Sequence, residues 1–219
     1  MNKKKFRPSH SEANTAPSRR GGTSFKIGVL ASTKGTDLQA IIDELQDGKM
    51  PGIELAVILS NKKNAFALQR ARQHGFKAIF VDPKGKSREE YDERLADILQ
   101  KHGVNLVVLI GYMRILSADF VRKFPRRIIN VHPALMPKFS GPGYFGANVH
   151  EEVIRVGEKE SGCTIHFVDD GVDTGAILLQ KKVKINTNET PESLKEKVQG
   201  LEKKWYPEVI RRFASGKIL

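Results

Sequence analysis

The chain has a single cysteine, Cys163, which excludes an internal disulfide and any cysteine-based zinc cluster and fits a reducing compartment. No apolar run approaches the roughly 18 residues that a membrane span needs. Residues 1–24 hold almost no large apolar side chain, so this stretch cannot offset its ordering entropy by burial. It also lacks the apolar segment of a secretory signal, and its basic residues lack the amphipathic pattern of a transit peptide. These absences predict a soluble, cytoplasmic protein with a disordered basic tail over residues 1–24.

The remainder has the make-up of a folded domain. Hydrophobic residues are 39% and charged residues 28%, ordinary for a globular protein, and 219 residues suit one core, so residues 25–219 are read as a single domain. The net charge is +12, and half of it sits in residues 1–26, where seven basic side chains face only Glu12. That cluster suits loose contact with a polyanion such as RNA, or a solvated extension without a partner, and the second reading is preferred. The domain shows no basic strip interleaved with aromatics, which speaks against a nucleic-acid partner.

Along the chain, apolar strands alternate with helical patterns. Phe25 to Ser32, Glu54 to Ser60, Lys77 to Val81, Asn105 to Gly111 and Ile128 to Val131 read as strands. Ala65 to His74 and Ser87 to His102 read as helices, and Ser117 caps a short one. Strands apolar on both faces, separated by helices, predict an α/β fold with a doubly wound, mostly parallel sheet. In such a sheet ligands bind beyond the carboxyl ends of the strands, near the point where strand order reverses. Three loops qualify: Ser32–Asp37, Gly111–Leu116 and His132–Gly143.

After Gly143 the pattern changes. A helix over Val149–Val156 is followed by a strand from Gly162 to Val168, the acidic loop D-D-G-V-D-T-G and a second strand, an antiparallel addition at the C-terminal side. The acidic loop lacks the ligand spacing and closing Glu of a calcium loop, so it is read as a turn and no metal is expected. Thr190-Pro191 opens a long final helix running towards Gly216.

Two stretches carry chemistry. In R-I-I-N-V-H-P-A-L-M-P, strand alternation projects Asn130 and His132 to the same side at the end of a buried strand, beside a loop stiffened by Pro133 and Pro137. An amide beside an imidazole can hold an oxyanion and move a proton, although a core histidine with a polar neighbour is the plain alternative. Ser32 to Asp37 joins a strand to a helix, the arrangement in which backbone N–H groups receive a phosphate, and Lys34 adds positive charge. Thr36 or Asp37 would serve as the helix cap.

Several motifs in order resemble the phosphoribosylglycinamide formyltransferases, folate-dependent enzymes of purine synthesis, over about residues 25 to 213. N-V-H-P-A-L-M-P matches the family's N-x-H-P-S-L-L-P. V-D-D-G-V-D-T-G with I-L-L-Q matches its acidic loop and following strand. G-Y-M-R-I-L matches its folate-contacting segment, and V-Q-G-L-E-K-K-W-Y-P the helix with the Q-x-x-E pair. The resemblance implies a Rossmann-like formyltransferase fold. It implies formyl transfer from 10-formyltetrahydrofolate, as co-substrate, to the amine of glycinamide ribonucleotide, with small-molecule partners and no metal; a homodimer is left open. Asn130 would donate to the oxyanion. His132 would donate to it or move a proton to the leaving nitrogen, and Asp173 would orient His132 and favour its protonated form. Met113, Arg114, Ile115 and Leu116, with Asn130, would meet the folate, and Arg88 its glutamate carboxylate. Gly35, Thr36, Asp37, Gln199 and Glu202 would meet the ribonucleotide.

Two features depart from the family pattern. The first loop usually reads S-G-x-G-S-N, and here Thr33 replaces a glycine and Asp37 an amide. Ser140 to Asn148 is longer than the common form and is expected at the lip of the site or at a subunit contact. Two other readings compete with this one. A relative acting on methionyl-tRNA is disfavoured because no second domain follows to grip a tRNA. An inactive RNA-binding relative is motivated only by the tail.

Overall fold

The computed structural model describes residues 24–218, so the reading of residues 1–23 as a basic tail lies outside the described residues. The strands are β1 (Phe25–Ala31), β2 (Ile53–Ser60), β3 (Ala78–Phe80), β4 (Leu106–Ile110), β5 (Ile128–His132), β6 (Glu160–Phe167) and β7 (Ile177–Lys184). The helices are α1 (Thr36–Gln46), α2 (Phe66–Gln73), α3 (Arg88–Lys101), α4 (Ala118–Lys123), α5 (Ala147–Arg155) and α6 (Pro191–Ala214). They form one sheet in the order β3-β2-β1-β4-β5-β6-β7. Strands β1 to β5 pair in parallel, while β6 and β7 run antiparallel. The doubly wound sheet with an antiparallel addition is therefore observed.

Alternation along the strands builds both hydrophobic layers. Ile27, Val29 and Ala31 of β1, with Leu106, Val108 and Ile110 of β4, pack on the face covered by α1, α2 and α6. Leu30, Val107 and Leu109 have the opposite parity and pack with Tyr91, Leu95 and Phe120 of α3 and α4. This is the period-2 rule on a sheet buried on both sides. Ile128 belongs to the second layer, and Asn130 and His132 share its parity at the end of β5.

Local chemistry sets the helix starts. At α3 a capping box closes, with the Ser87 hydroxyl accepting from Glu90 N–H at 3.1 Å and the Glu90 carboxylate from Ser87 N–H at 2.8 Å. Ser117 caps α4, and Thr190 caps α6 with Pro191 at its first turn. The start of α1 differs from expectation. Neither Thr36 nor Asp37 caps it; Gly35 does, in a left-handed conformation with φ 66° and no side-chain cap. A Cβ on Gly35 would also lie 2.9 Å from Ala67 Cβ, so close packing and backbone both require glycine there. Thr33 is absent from the positive-φ positions, so the glycine it replaces is not needed for conformation.

The first strand order reversal lies between β1 and β4, where the chain leaves in opposite directions to build the two halves. Ser32 ties the loops there together. Its N–H donates to Gly111 C=O at 3.2 Å, and its hydroxyl accepts from Met113 N–H at 3.0 Å. Helix α6 is held to the same edge by Tyr206, whose buried hydroxyl reaches Leu109 C=O at 2.8 Å and Ile129 C=O at 3.0 Å.

Candidate active site

A cavity of about 750 Å³ opens over the carboxyl ends of β1, β4 and β5, at the reversal point. Every site residue expected from the sequence lines it except Arg88. Its walls are the three loops singled out above, the α6 face carrying Gln199 and Glu202, and the segment after Ser140, which thus forms the lip.

At the centre, Asn130 and His132 stand side by side at the end of β5. Antiparallel pairing sets His166 of β6 opposite Asn130, and Thr164 opposite His132. The His166 Nδ1–H donates to Phe167 C=O at 2.7 Å. Its Nε2 lies 3.3 Å from Asn130 Nδ2 and 3.6 Å from Asp173 Oδ1. When its Nε2 carries no proton the ring accepts from the Asn130 NH₂, which keeps its second N–H for another acceptor. His132 is buried, with 3% of its surface exposed. Its Nε2–H donates to Phe139 C=O at 2.7 Å, and its Nδ1 lies 3.4 Å from Asp173 Oδ2. Nδ1 is thus the ring nitrogen not committed to a hydrogen bond.

The acidic loop earns its shape from turn chemistry. Asp169 Oδ1 accepts from Gly171 N–H at 3.1 Å and from the Thr174 hydroxyl at 2.6 Å, closing an Asx-type turn that presents Asp173 to both histidines. Gly141 N–H donates to Asp173 at 3.2 Å, docking the lip on the centre. The two groups that hold the His132 ring, Phe139 and Asp173, both have left-handed backbones, with φ of 57° and 55°. Such conformations are costly for residues with a Cβ and gather where surrounding structure enforces a geometry.

Burial holds the His132 imidazole below its usual 6.5, outweighing the Asp173 carboxylate and the Phe139 carbonyl, which favour the cation. Asp173 therefore opposes the desolvation of His132 without reversing it. Burial also pushes the Asp173 carboxyl up, but His166, the charge of His132 and the Gly141 N–H together bring it below its ordinary value.

On one side the cavity meets the start of α1 and the α6 face. Asp37 and Glu202 are both buried there, each 6% exposed. Burial pushes Asp37 up to about 6 against the pull of Lys203, and burial with the nearby Asp37 charge pushes Glu202 well above the usual carboxylate range. On another side Met113 and Ile115 leave half or more of their apolar surface open, at 50% and 56%. Arg114 stacks over the Tyr91 ring at 4.7 Å, and its Nε is buried without a hydrogen-bond partner. Arg88 stands outside the cavity, at the first position of α3, 3.1 Å from Glu89. It acts on Asp92, as Arg114 does, which sets it towards the Arg114 end.

A family model described as formyl transferase matches residues 25–210. The chain belongs to the formyl transferase family. It is 40% identical over 194 residues to phosphoribosylglycinamide formyltransferase of Haemophilus influenzae, covering 88% of this chain and 89% of that one. It is also 40% identical over 197 residues to the trifunctional purine biosynthetic protein adenosine-3 of Drosophila melanogaster. That match covers 89% of this chain and only 14% of the fly protein. Among solved structures, glycinamide ribonucleotide transformylase 1 of Symbiobacterium toebii superposes with a TM-score of 0.84 at 40% identity, covering 93% of this chain and 94% of that one.

In this formyl transferase three cavity residues escaped the sequence reading. His166 is set by the antiparallel β5–β6 register, which no local pattern reveals. His150 lies on α5 behind the lip. Lys195 sits four residues before Gln199 and seven before Glu202 on α6, so the helical repeat would have found it. No described helix is long and apolar enough to cross a membrane. Among the described residues no group of three His, Cys, Asp or Glu side chains is arranged to hold a metal ion.

Proposed function

We propose that the chain transfers the formyl group of 10-formyltetrahydrofolate to the amine of glycinamide ribonucleotide, acting in the cytoplasm. The observation that carries this reading is the convergence of Asn130, His132 and Asp173 in one cavity, between an acidic, helix-ended side and an open apolar side. Membership of the formyl transferase family supports it.

The amine attacks the formyl carbon and a tetrahedral oxyanion forms. The free Asn130 N–H meets this charge as it develops, where it is worth most. His132 lines the cavity beside Asn130, its Nε2 held by Phe139 C=O and its Nδ1 facing the Asp173 carboxylate. The attacking amine gives up a proton and the folate N10 gains one as the carbon–N10 bond breaks; His132 carries that transfer. Because burial keeps His132 neutral until a proton arrives, it suits shuttling better than permanent charge. Asp173 steadies the imidazolium while it exists.

The apolar side fits the folate. Met113 and Ile115, with Leu116, offer apolar surface to a flat heterocycle. Arg88, outside the cavity at the first position of α3, is kept as the partner proposed for the folate glutamate carboxylate. The ribonucleotide then takes the other side, with Gly35 and Thr36 offering uncapped N–H groups to an anion, and Asp37, Gln199 and Glu202 facing hydroxyl and amine groups.

The test is formyl transfer by the purified chain, with release of tetrahydrofolate followed by absorbance. Turnover on glycinamide ribonucleotide that His132→Ala abolishes, with circular dichroism unchanged, is the expected result. Folate binding without turnover on this amine would point to a different acceptor.

A further inference from the structure

We propose that Asp92, on α3 behind the cavity wall, is the positioning residue that fixes the segment from Met113 to Leu116 in the shape the folate meets. This rests on the proposed function, which assigns that segment to the folate.

Asp92 is an acid in an apolar place. The buried stripe of α3 otherwise carries Tyr91, Leu95, Ala96 and Leu99, and Asp92 is fully buried among them. A carboxylate taken wholly out of water is costly, and an apolar residue of similar shape would pack there without that cost. The fold of α3 alone therefore gives no reason for the charge. Its partners give one. Asp92 Oδ2 accepts from Ser117 N–H at 2.6 Å, a bond spanning 25 residues of chain. That length is short for an N–H donor and marks an ionised acceptor. Burial pushes the carboxyl up, and Ser117, Arg114 and Arg88 pull it part of the way back. The groups that answer the charge thus belong to the segment after β4 and to the arginine one turn before Asp92 on α3.

The segment needs such a hold. Gly111 to Ser117 belongs to no helix or strand, yet its exposure alternates in an ordered way. Met113 and Ile115 open towards the cavity, while Tyr112 packs in the α3 layer and Arg114 lies over the Tyr91 ring at 4.7 Å. Without a regular hydrogen-bond ladder, this shape is set from the two ends. Ser32 holds the first end, its hydroxyl accepting from Met113 N–H at 3.0 Å. Asp92 holds the second through Ser117 N–H, and Arg114, between the two ends, is drawn to the same carboxylate. Ser117 also caps α4, so the bond to Asp92 fixes where the segment stops and the helix starts.

The experiment compares wild type with two variants. Asp92→Asn keeps the shape and an acceptor and removes the charge; Asp92→Leu removes the acceptor as well. Amide hydrogen exchange, read by NMR, should quicken at Ser117 by about tenfold or more in Asp92→Leu and by less in Asp92→Asn, with β4 and β5 exchanging as in wild type. The KM for 10-formyltetrahydrofolate should rise in the same order, by about tenfold in Asp92→Leu, while the KM for the ribonucleotide stays as in wild type. A general weakening of the fold would move both KM values and would not be eased by asparagine. Asp92→Asn supplies both readings if Asp92→Leu does not fold. The exchange measurement needs no substrate, so it judges the hold of Asp92 on the segment even if formyl transfer from this folate is not found. Wild-type exchange at Ser117, an unmoved folate KM in an active enzyme, or two KM values that rise together would overturn the proposal.

Discussion

His132 Nδ1 faces the Asp173 carboxylate at 3.4 Å, close enough for charge to act and too long for a settled hydrogen bond. The carboxylate favours an imidazolium that burial disfavours, and the balance leaves His132 below its usual value. A ring poised in this way takes a proton only when the reaction delivers one.

Asp173→Asn keeps the shape and removes the charge. The kcat for formyl transfer should fall by about 10²–10⁴, the range of positioned acid–base groups, with KM for both substrates nearly unchanged. Asp173 raises the His132 pKa, so its removal should move the titration of the His132 ring resonance to lower pH. A titration that moves upward, or a kcat within a few-fold of wild type, would contradict the role given to Asp173.

Asp37→Asn should stabilise the fold in a pH-dependent manner. The folded carboxyl titrates at about 6 against 3.8 for the free group, so between these values the folded state holds a proton that the unfolded chain has lost. Stability contributed by that proton is complete below 3.8 and gone above about 6. At pH 7.5 the substitution should therefore gain about 1–3 kcal/mol, seen as a melting temperature several degrees higher, and at pH 3.5 almost nothing. Equal shifts at both pH values would show that the gain has another source. The Glu202 carboxyl, relieved of its acidic neighbour, should titrate lower in the same variant.

Much of this site was legible because it obeys short-range rules. Alternation along β5 projects Asn130 and His132 together, and capping residues announced α3, α4 and α6. The α1 start misled because Thr36 and Asp37 have the chemistry of caps, while the tight approach of Ala67 reserves the cap for Gly35. His166 was out of reach because its partner is set by a pairing across about 36 residues of chain, between strands that local pattern leaves free to slide. The protonation balance of His132 was out of reach for a different reason. Desolvation depends on how completely neighbouring chain covers the ring, which is known only from the packed structure.

Thr164→Val should loosen the loop after the catalytic strand. The Thr164 hydroxyl donates to Ala134 C=O at 2.7 Å and accepts from Met136 N–H at 3.1 Å and from the Gln180 amide at 2.9 Å. Valine fills the space but leaves the Ala134 carbonyl and the Met136 N–H without the Thr164 hydroxyl, at a cost of about 1–3 kcal/mol, while the Gln180 amide keeps its bond to Met136 C=O. Urea unfolding should show the midpoint lowered with an unchanged m-value. Since the loop leads directly from His132 to Phe139, kcat should fall as well, and a stability loss with wild-type kcat would separate the two effects.

Tyr206→Phe tests how α6 is held over the sheet. One hydroxyl spans the carbonyls of Leu109 and Ile129 at the ends of β4 and β5, one helical turn from Glu202. Phenylalanine preserves the packing of a fully buried ring and removes only the polar contact. The expected loss is about 1–2 kcal/mol, because two buried carbonyls lose their shared donor. Glu202 and Gln199 ride on the same helix, so the KM for the ribonucleotide should rise a few-fold while the KM for folate, for which the β4–α4 loop is proposed, holds. A rise confined to the folate KM would mean that Tyr206 steadies the sheet end and leaves the helix where it is.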